Sequence, residues 1–222
     1  METIFGMTNF FVEKPVGIIQ IGANDGGEIP LFNQHTQNQI YFEPVKEARD
    51  TLVSKLADDP QLNISKFVFP YIISNETASV DFFLGREHGN SSLFDLNPVR
   101  SDQHLHNIHD TKITLPSITL DEFFIKHSSE VNMEDYDYLF MDVQGAEHLV
   151  VEGSSELLKY IKYIYMEVSY EEIYLGTMLF EDMVIFMKDK GFSVLEHKVS
   201  PYNYNQGDCL FIKDSIEKHN HE

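Results

Sequence analysis

Cysteine occurs once, at Cys209, so no disulfide can form within the chain, and the sequence fits a reducing compartment. Tryptophan is absent. Basic residues are scarce: sixteen Lys and Arg stand against thirty-six Asp and Glu, a formal charge of −20. Such a field repels phosphate backbones and anionic lipid surfaces, which argues against nucleic acid or a membrane surface as a partner. An acidic balance also keeps soluble proteins dispersed, so it identifies no substrate. No apolar run reaches the roughly eighteen residues that a membrane-spanning helix needs. Residues 1–15 lack the basic start and long apolar core of a secretory signal. The expectation is a soluble, cytoplasmic protein. With 222 residues, 42% of them hydrophobic, the chain is long enough for one α/β domain and short for two.

Within it, apolar strand-like runs alternate with helix-like segments, a pattern that predicts parallel strands joined by crossover helices. Strands are predicted over 16–21, 39–43, 67–73, 138–143 and 164–168, and helices over 45–56, 119–127, 154–160 and 180–190. Thr119-Leu-Asp-Glu reads as the start of its helix, and Gly191 as the stop of the last one. Residues 78–84 alternate like an extra strand. The polar stretch 85–109, rich in Asn and His, reads as an insertion. Two final strands, 192–196 and 209–213, flank a turn and are expected to add an antiparallel edge, with 215–222 as a frayed tail.

Two segments point to a ligand. Residues 17–27, GIIQIGANDGG, run from an apolar strand into a glycine-rich turn, and IYFEPV places Glu43 at the end of the second strand. Glycines there let the backbone approach a ligand closely, and an acid ending the second strand accepts hydrogen bonds from ribose hydroxyls. The spacing is not the GxGxxG that rests a pyrophosphate on a helix N-terminus. A nucleoside without phosphates fits better. Asp142, in YLFMDVQGAEHLVVEG, ends the fourth strand at the rim where ligands bind in open sheets, followed by Gln144, Gly145 and Glu147. Glu167, within the apolar IYMEVSYEE, should face the same cleft, because a lone carboxyl in a strand is costly to bury. Plainer readings exist: Asp142 caps the next helix, Glu147 is a solvated first-turn acid, and Glu167 partners a lysine or an amide.

Taken together, IIQIGANDGGE (18–28), YFEPV (41–45), ISNETASVDFF (73–83), SSLF (91–94), ITLDEFF (118–124), MDVQGAEHLVVEG (141–153) and MEVSYEE (166–172) resemble the FkbM family of S-adenosylmethionine-dependent methyltransferases over nearly the whole chain. The resemblance implies one class I methyltransferase domain, Rossmann-like. Its sheet would be seven-stranded and mostly parallel, flanked by helices, with the last strand antiparallel and a hairpin or loop inserted after strand three. Residues 1–14 would be an N-terminal segment and 85–110 a variable loop facing the acceptor. It implies methyl transfer to oxygen, commonly a hydroxyl of a sugar or polyketide, with S-adenosylmethionine as cofactor and S-adenosylhomocysteine as product. Gly22, Ala23, Asn24 and Gly26 would line the methionine part, Glu43 the ribose, and Ser74 or Asn75 the adenine edge. Asp142 would stand beside the sulfonium. Pro44, Val143 and Gln144 join the cofactor positions. Gln20 stands where many relatives carry an acid, and Asp25 is expected to compensate.

For proton removal from the acceptor hydroxyl, Asp142 and Glu167 are the preferred bases, with His148 behind them. Ser91, Ser92, Glu147 and Tyr170 are expected on the acceptor side, and Tyr174, Tyr202 and Tyr204 are further rings able to pack on a sugar. His104, His106, His109 and Asp110, with Asp102 or His88, have a spacing that suits zinc, but a solvated polar loop is the preferred reading. His219 and His221 read as tail. A magnesium ion between Asp142 and Glu167 is a second metal option, not favoured. Two other classes stay open: a nicotinamide-dependent oxidoreductase on a similar sheet, and a cofactor-binding module without turnover.

Overall fold

The computed structural model describes residues 11–57, 68–86, 88–99, 109–200 and 205–217. Tyr202, Tyr204, Asp102, His104, His106, His219 and His221 lie outside the described residues, as do the side chains of His88 and Asp110. Along the chain run β1 (Ile18–Ile21), α1 (Ile29–Phe32), β2 (Gln39–Phe42), α2 (Lys46–Ala57), β3 (Val68–Phe69), β4 (Ile72–Ile73), β5 (Ser79–Gly85), β6 (His109–Ile118), α3 (Leu120–Lys126), β7 (Tyr138–Met141), α4 (Glu147–Glu152), β8 (Tyr163–Ser169), α5 (Phe180–Asp189), β9 (Phe192–Val199), β10 (Gln206–Lys213) and α6 (Asp214–Glu217).

The main sheet has seven strands in the order β3-β2-β1-β7-β8-β10-β9. Its first five strands pair in parallel, whereas β10 runs antiparallel to both β8 and β9. The last strand of the chain is therefore inserted inside the sheet, and β9, not the return strand, forms the edge. That insertion buries β10, which explains why Cys209, Leu210 and Phe211 are fully enclosed.

Alternation along each strand divides the core into two layers. Ile19 and Ile21 face α3, α4 and α5, with Phe123, Val150 and Met187 among their neighbours. Ile18, Tyr41, Phe140 and Tyr165 face the other way, against Phe32 of α1 and Leu52 of α2. Each such enclosed side chain contributes roughly 1.5–3 kcal/mol. Because both faces are covered, the central strands read as continuous apolar runs, which is why they were legible in the sequence.

The predicted third strand is broken. Pro70 cannot donate to a ladder, so β3 ends at Phe69 on the main sheet and β4 joins a second, three-stranded sheet in the order β4-β6-β5. The ten-residue β6 was not foreseen: its first residues lie in the stretch read as loop, and it pairs antiparallel with β5 along its length. The helix expected over 154–160 is not formed: α4 precedes that stretch and ends at the Gly153 C-cap. Only a single 3₁₀ turn, Leu157–Lys159, follows. The Thr119 hydroxyl does accept the Glu122 N–H, as its sequence predicts. Residues 214–217 continue the chain as a short helix with Ile216 packed on the core.

Candidate functional site

The strand ends of β1, β2 and β7 open into a cleft lined by both polar and apolar residues. Its floor is the turn after β1. Gly22 has φ +75, and a Cβ there would lie 1.9 Å from the Asp142 carbonyl oxygen. Glycine is thus required both by conformation and by the close approach of two strand ends. Gly22 and Ala23 donate their N–H groups to the Phe42 carbonyl, and Asp142 donates to Ile21.

Glu43 stands beside that turn, only 5% exposed. Its Oε2 accepts the Asn24 N–H at 2.8 Å and its Oε1 the Val45 N–H at 2.7 Å. Burial pushes the carboxyl up to about 7, opposed by those two N–H groups and by Arg49. A carboxylate has about four acceptor sites, so each oxygen keeps capacity for a ligand hydroxyl. Asn24 is held at φ +46, in the left-handed region that asparagine tolerates better than most residues.

Asp142 forms the opposite wall. It is open to the cleft but surrounded by protein on its other sides. The water lost there raises its carboxyl, the Gln144 amide opposes, and Glu28 and Asp208 raise it further. Gln144 donates to Asp142 Oδ1 at 2.6 Å and to Glu167 Oε2 at 3.1 Å, while Gln206 donates to Glu167 Oε2 at 2.7 Å. Glu167 is pushed well up by burial and by Asp142, Glu147 and Asp208. Asp208 itself accepts the Tyr165 hydroxyl at 2.5 Å. The structure therefore links Asp142 and Glu167 through an amide, but Glu167, expected to face the same cleft, is not among the residues that line it, because its carboxyl is turned to Gln144 and Gln206.

Other predicted residues divide. Gly22, Asn24, Glu43, Pro44, Ser91, Asp142 and Val143 line the cleft. Ala23 is enclosed in the core, and Gly26 makes room for Ile29 and Leu52, so both shape the turn from behind. Gln20, 1% exposed, donates to Glu28 at 2.8 Å beneath the turn. Asp25 is in a surface ion pair with Lys55 at 2.8 Å, which takes its carboxylate away from the compensating role. Ser74 is buried and Asn75 donates to Glu152, so neither reaches the lining; Ile72, Ile73, Phe82 and Leu93 form that end instead.

Glu147 is a brace within the protein. Its Oε1 accepts the Val143 and Gly145 N–H groups at 3.1 and 3.4 Å, and burial pushes it up to about 7. Ser92, fully enclosed, donates to the Gln144 carbonyl at 2.8 Å. His148 stacks on Phe94 at 5.8 Å, its imidazole lowered by burial, away from the lining residues. Tyr170 packs against Phe180, and Tyr174 is fully buried with its hydroxyl on Gln144 Oε1 at 2.6 Å, so neither presents a ring face to the cleft.

His109 is not a solvated loop residue. Its ring lies between Phe83 and Tyr174, at 5.5 and 5.9 Å, and its nitrogens reach Asp95 Oδ1 and the Asn90 carbonyl, both at 3.1 Å. Among the described residues no group of three His, Cys, Asp or Glu side chains is arranged to hold a metal ion. Between Asp142 and Glu167 stands the Gln144 amide, which donates to both. The apolar end of the cleft and the partners Gln206 and Asp208 were not anticipated. The alternation of 78–84 was the available signal for Phe82, whereas Gln206 and Asp208 gave none, because their place depends on β10 being inserted beside β8.

The family model described as Methyltransferase FkbM domain matches residues 20–194. The 2-O-methyltransferase NoeI of Sinorhizobium fredii is 30% identical over 176 residues, 75% of this chain and 69% of that protein. Among solved structures, the Methyltransferase FkbM from Methylobacillus flagellatus superposes with a TM-score of 0.61 at 12% identity, over 94% of this chain. The chain spans 46% of that protein's length, about half. Streptococcus pneumoniae Sp1610 gives 0.52 at 9% identity, over 91% of this chain and 66% of its own. At such identities the two structures speak for the fold alone.

Proposed function

The chain belongs to the FkbM methyltransferase family, whose members depend on S-adenosylmethionine, and we propose that it methylates a hydroxyl oxygen, most simply one of a sugar in a glycan or nucleotide-sugar precursor. The observation that carries the reading is Glu43: a buried carboxyl, fixed by two backbone N–H groups, with acceptor capacity left at the end of β2 beside a turn that only glycine can make. That cradle fits a nucleoside with hydroxyls to donate and no phosphates to neutralise. The apolar end at Ile72, Ile73, Phe82 and Leu93 suits a base ring, and Asp142 offers negative charge near Gly22.

S-adenosylmethionine, when bound, supplies an electrophilic methyl group on a positively charged sulfur. The residues of this chain do the rest by holding the donor and the acceptor oxygen in line, the largest contribution available to such a displacement. As the acceptor oxygen bonds the methyl carbon, the carbon–sulfur bond would break with its electron pair left on sulfur, as S-adenosylhomocysteine, and Glu167 on β8, next to β7, would take the hydroxyl proton. Transfer to oxygen, and the sugar as acceptor, draw support from NoeI, a 2-O-methyltransferase by name.

Calorimetry with S-adenosylmethionine and S-adenosylhomocysteine tests the first half of the reading, and transfer of labelled methyl to a panel of free and nucleotide-linked hexoses tests the second. Binding of both compounds, weakened by Glu43→Ala, is expected. If neither compound binds, the proposal is wrong.

A further inference from the structure

Gln144 has little freedom left. Its backbone is held at φ +55, a conformation that a non-glycine residue keeps only when its surroundings impose it. Ser92 Oγ donates to its carbonyl at 2.8 Å and the Tyr174 hydroxyl to its Oε1 at 2.6 Å. Tyr174 is fixed in turn by burial and by its stack on His109. Both N–H groups of the amide are then aimed at carboxyls, Asp142 Oδ1 at 2.6 Å and Glu167 Oε2 at 3.1 Å. Turning the amide over would set its oxygen against two carboxyl oxygens, so the neighbours define its orientation.

We propose that Gln144 is a positioning residue that bridges Asp142 and Glu167 and thereby fixes the direction and charge of Glu167 as acceptor of the substrate hydroxyl proton. The inference rests on the methyl-transfer reading for what Glu167 does, but the bridge itself stands on geometry. Gln144 and Gln206 both donate to Oε2 of Glu167, which leaves Oε1 to face the hydroxyl. Asp142, tied to the same amide, is kept on the donor side of the cleft.

The bridge opposes its surroundings. Glu28 from the turn after β1, Glu43 from β2 with Arg49 behind it, Glu147 from α4 and Asp208 from β10 all act on this pair or its members, and Tyr165 and Tyr174 pack beside it. Acids dominate that set, so the carboxyls would hold protons to higher pH without the amide. N–H donors favour the ionised form, the one that can take a proton.

Carboxyl ¹³C shifts of Asp142 and Glu167, followed against pH in the ligand-free protein, test this directly. In Gln144→Met, which keeps the length and removes both donors, the two midpoints should rise by about one pH unit. The acid limb of kcat/KM, measured with whichever hexose accepts label, should rise with them. Tyr174→Phe frees the amide oxygen only and should give a smaller rise in the same direction; it serves if Gln144→Met does not fold. Midpoints that stay in place in a folded Gln144→Met protein would overturn the proposal. The titrations need neither cofactor nor acceptor, so they succeed or fail independently of the methyl-transfer reading.

Discussion

Glu43 Oε2 accepts the main-chain N–H of Asn24 at 2.8 Å, so one buried carboxyl ties the end of β2 to the turn after β1. The same group that we propose receives a ligand's hydroxyls also holds the turn on which that ligand would rest. On that reading binding and local order are coupled there, and substitutions separate them.

Glu43→Gln keeps an oxygen for one N–H but loses the charge. Charge-assisted hydrogen bonds contribute about 1.5–3 kcal/mol, so S-adenosylhomocysteine should bind roughly 10- to 100-fold more weakly by calorimetry. An unchanged affinity would remove Glu43 from the donor site.

Gly22→Ala should be far more disruptive than its size suggests. The residue sits at φ +75 and the new methyl would meet the Asp142 carbonyl at 1.9 Å, which forces β1 and β7 apart at the cleft. The conformational cost alone is about 1–3 kcal/mol. Thermal unfolding and ligand titration should both show the loss, and a variant as stable as the parent would contradict the turn as described.

Glu167→Gln should lower kcat by about 10²- to 10⁴-fold if the carboxyl takes the hydroxyl proton, with S-adenosylhomocysteine affinity largely retained because Glu167 does not line the donor cleft. Asp142→Asn, by contrast, should weaken donor binding as well. Label transfer in Glu167→Gln at the parent rate would exclude Glu167 as the base.

Stability should fall as pH rises. Glu43 and Glu147 are both pushed from 4.5 up to about 7 by burial. Between those values the folded protein holds protons that the unfolded chain has released, so their contribution is complete below pH 4.5 and is lost as pH passes 7. Each group accounts for at most roughly 3 kcal/mol. The Tm of the ligand-free protein should be higher at pH 5.5 than at pH 8, and Glu147→Gln should flatten the difference. A Tm that climbs towards pH 8 would contradict the burial of these carboxyls.

Ser92→Ala tests the loop from the other side. The Gln144 carbonyl would lose its donor inside the protein, a cost of about 1–3 kcal/mol, seen as a lower Tm. Thr119→Ala, remote from the cleft, should lower Tm through its lost helix cap by about 0.5–2 kcal/mol without altering ligand affinity.

What the sequence by itself determined is local. Buried parallel strands announce themselves as apolar runs, Gly22 marks a strand end where only glycine fits, and Thr119 marks a helix start by its own hydrogen bond. Tertiary structure decided whatever depends on pairing between distant segments. Pro70 divides one apolar run between two sheets, β10 slips between β8 and β9, and Asp208 thereby comes beside Glu167. The roles of Gln144 and Ser92 belong to the same class. Each is polar and near a strand end, so each reads as a ligand-binding residue. Its hydrogen-bond partner lies on another element, and chain topology alone determines whether that capacity is spent inside the protein or left for a ligand.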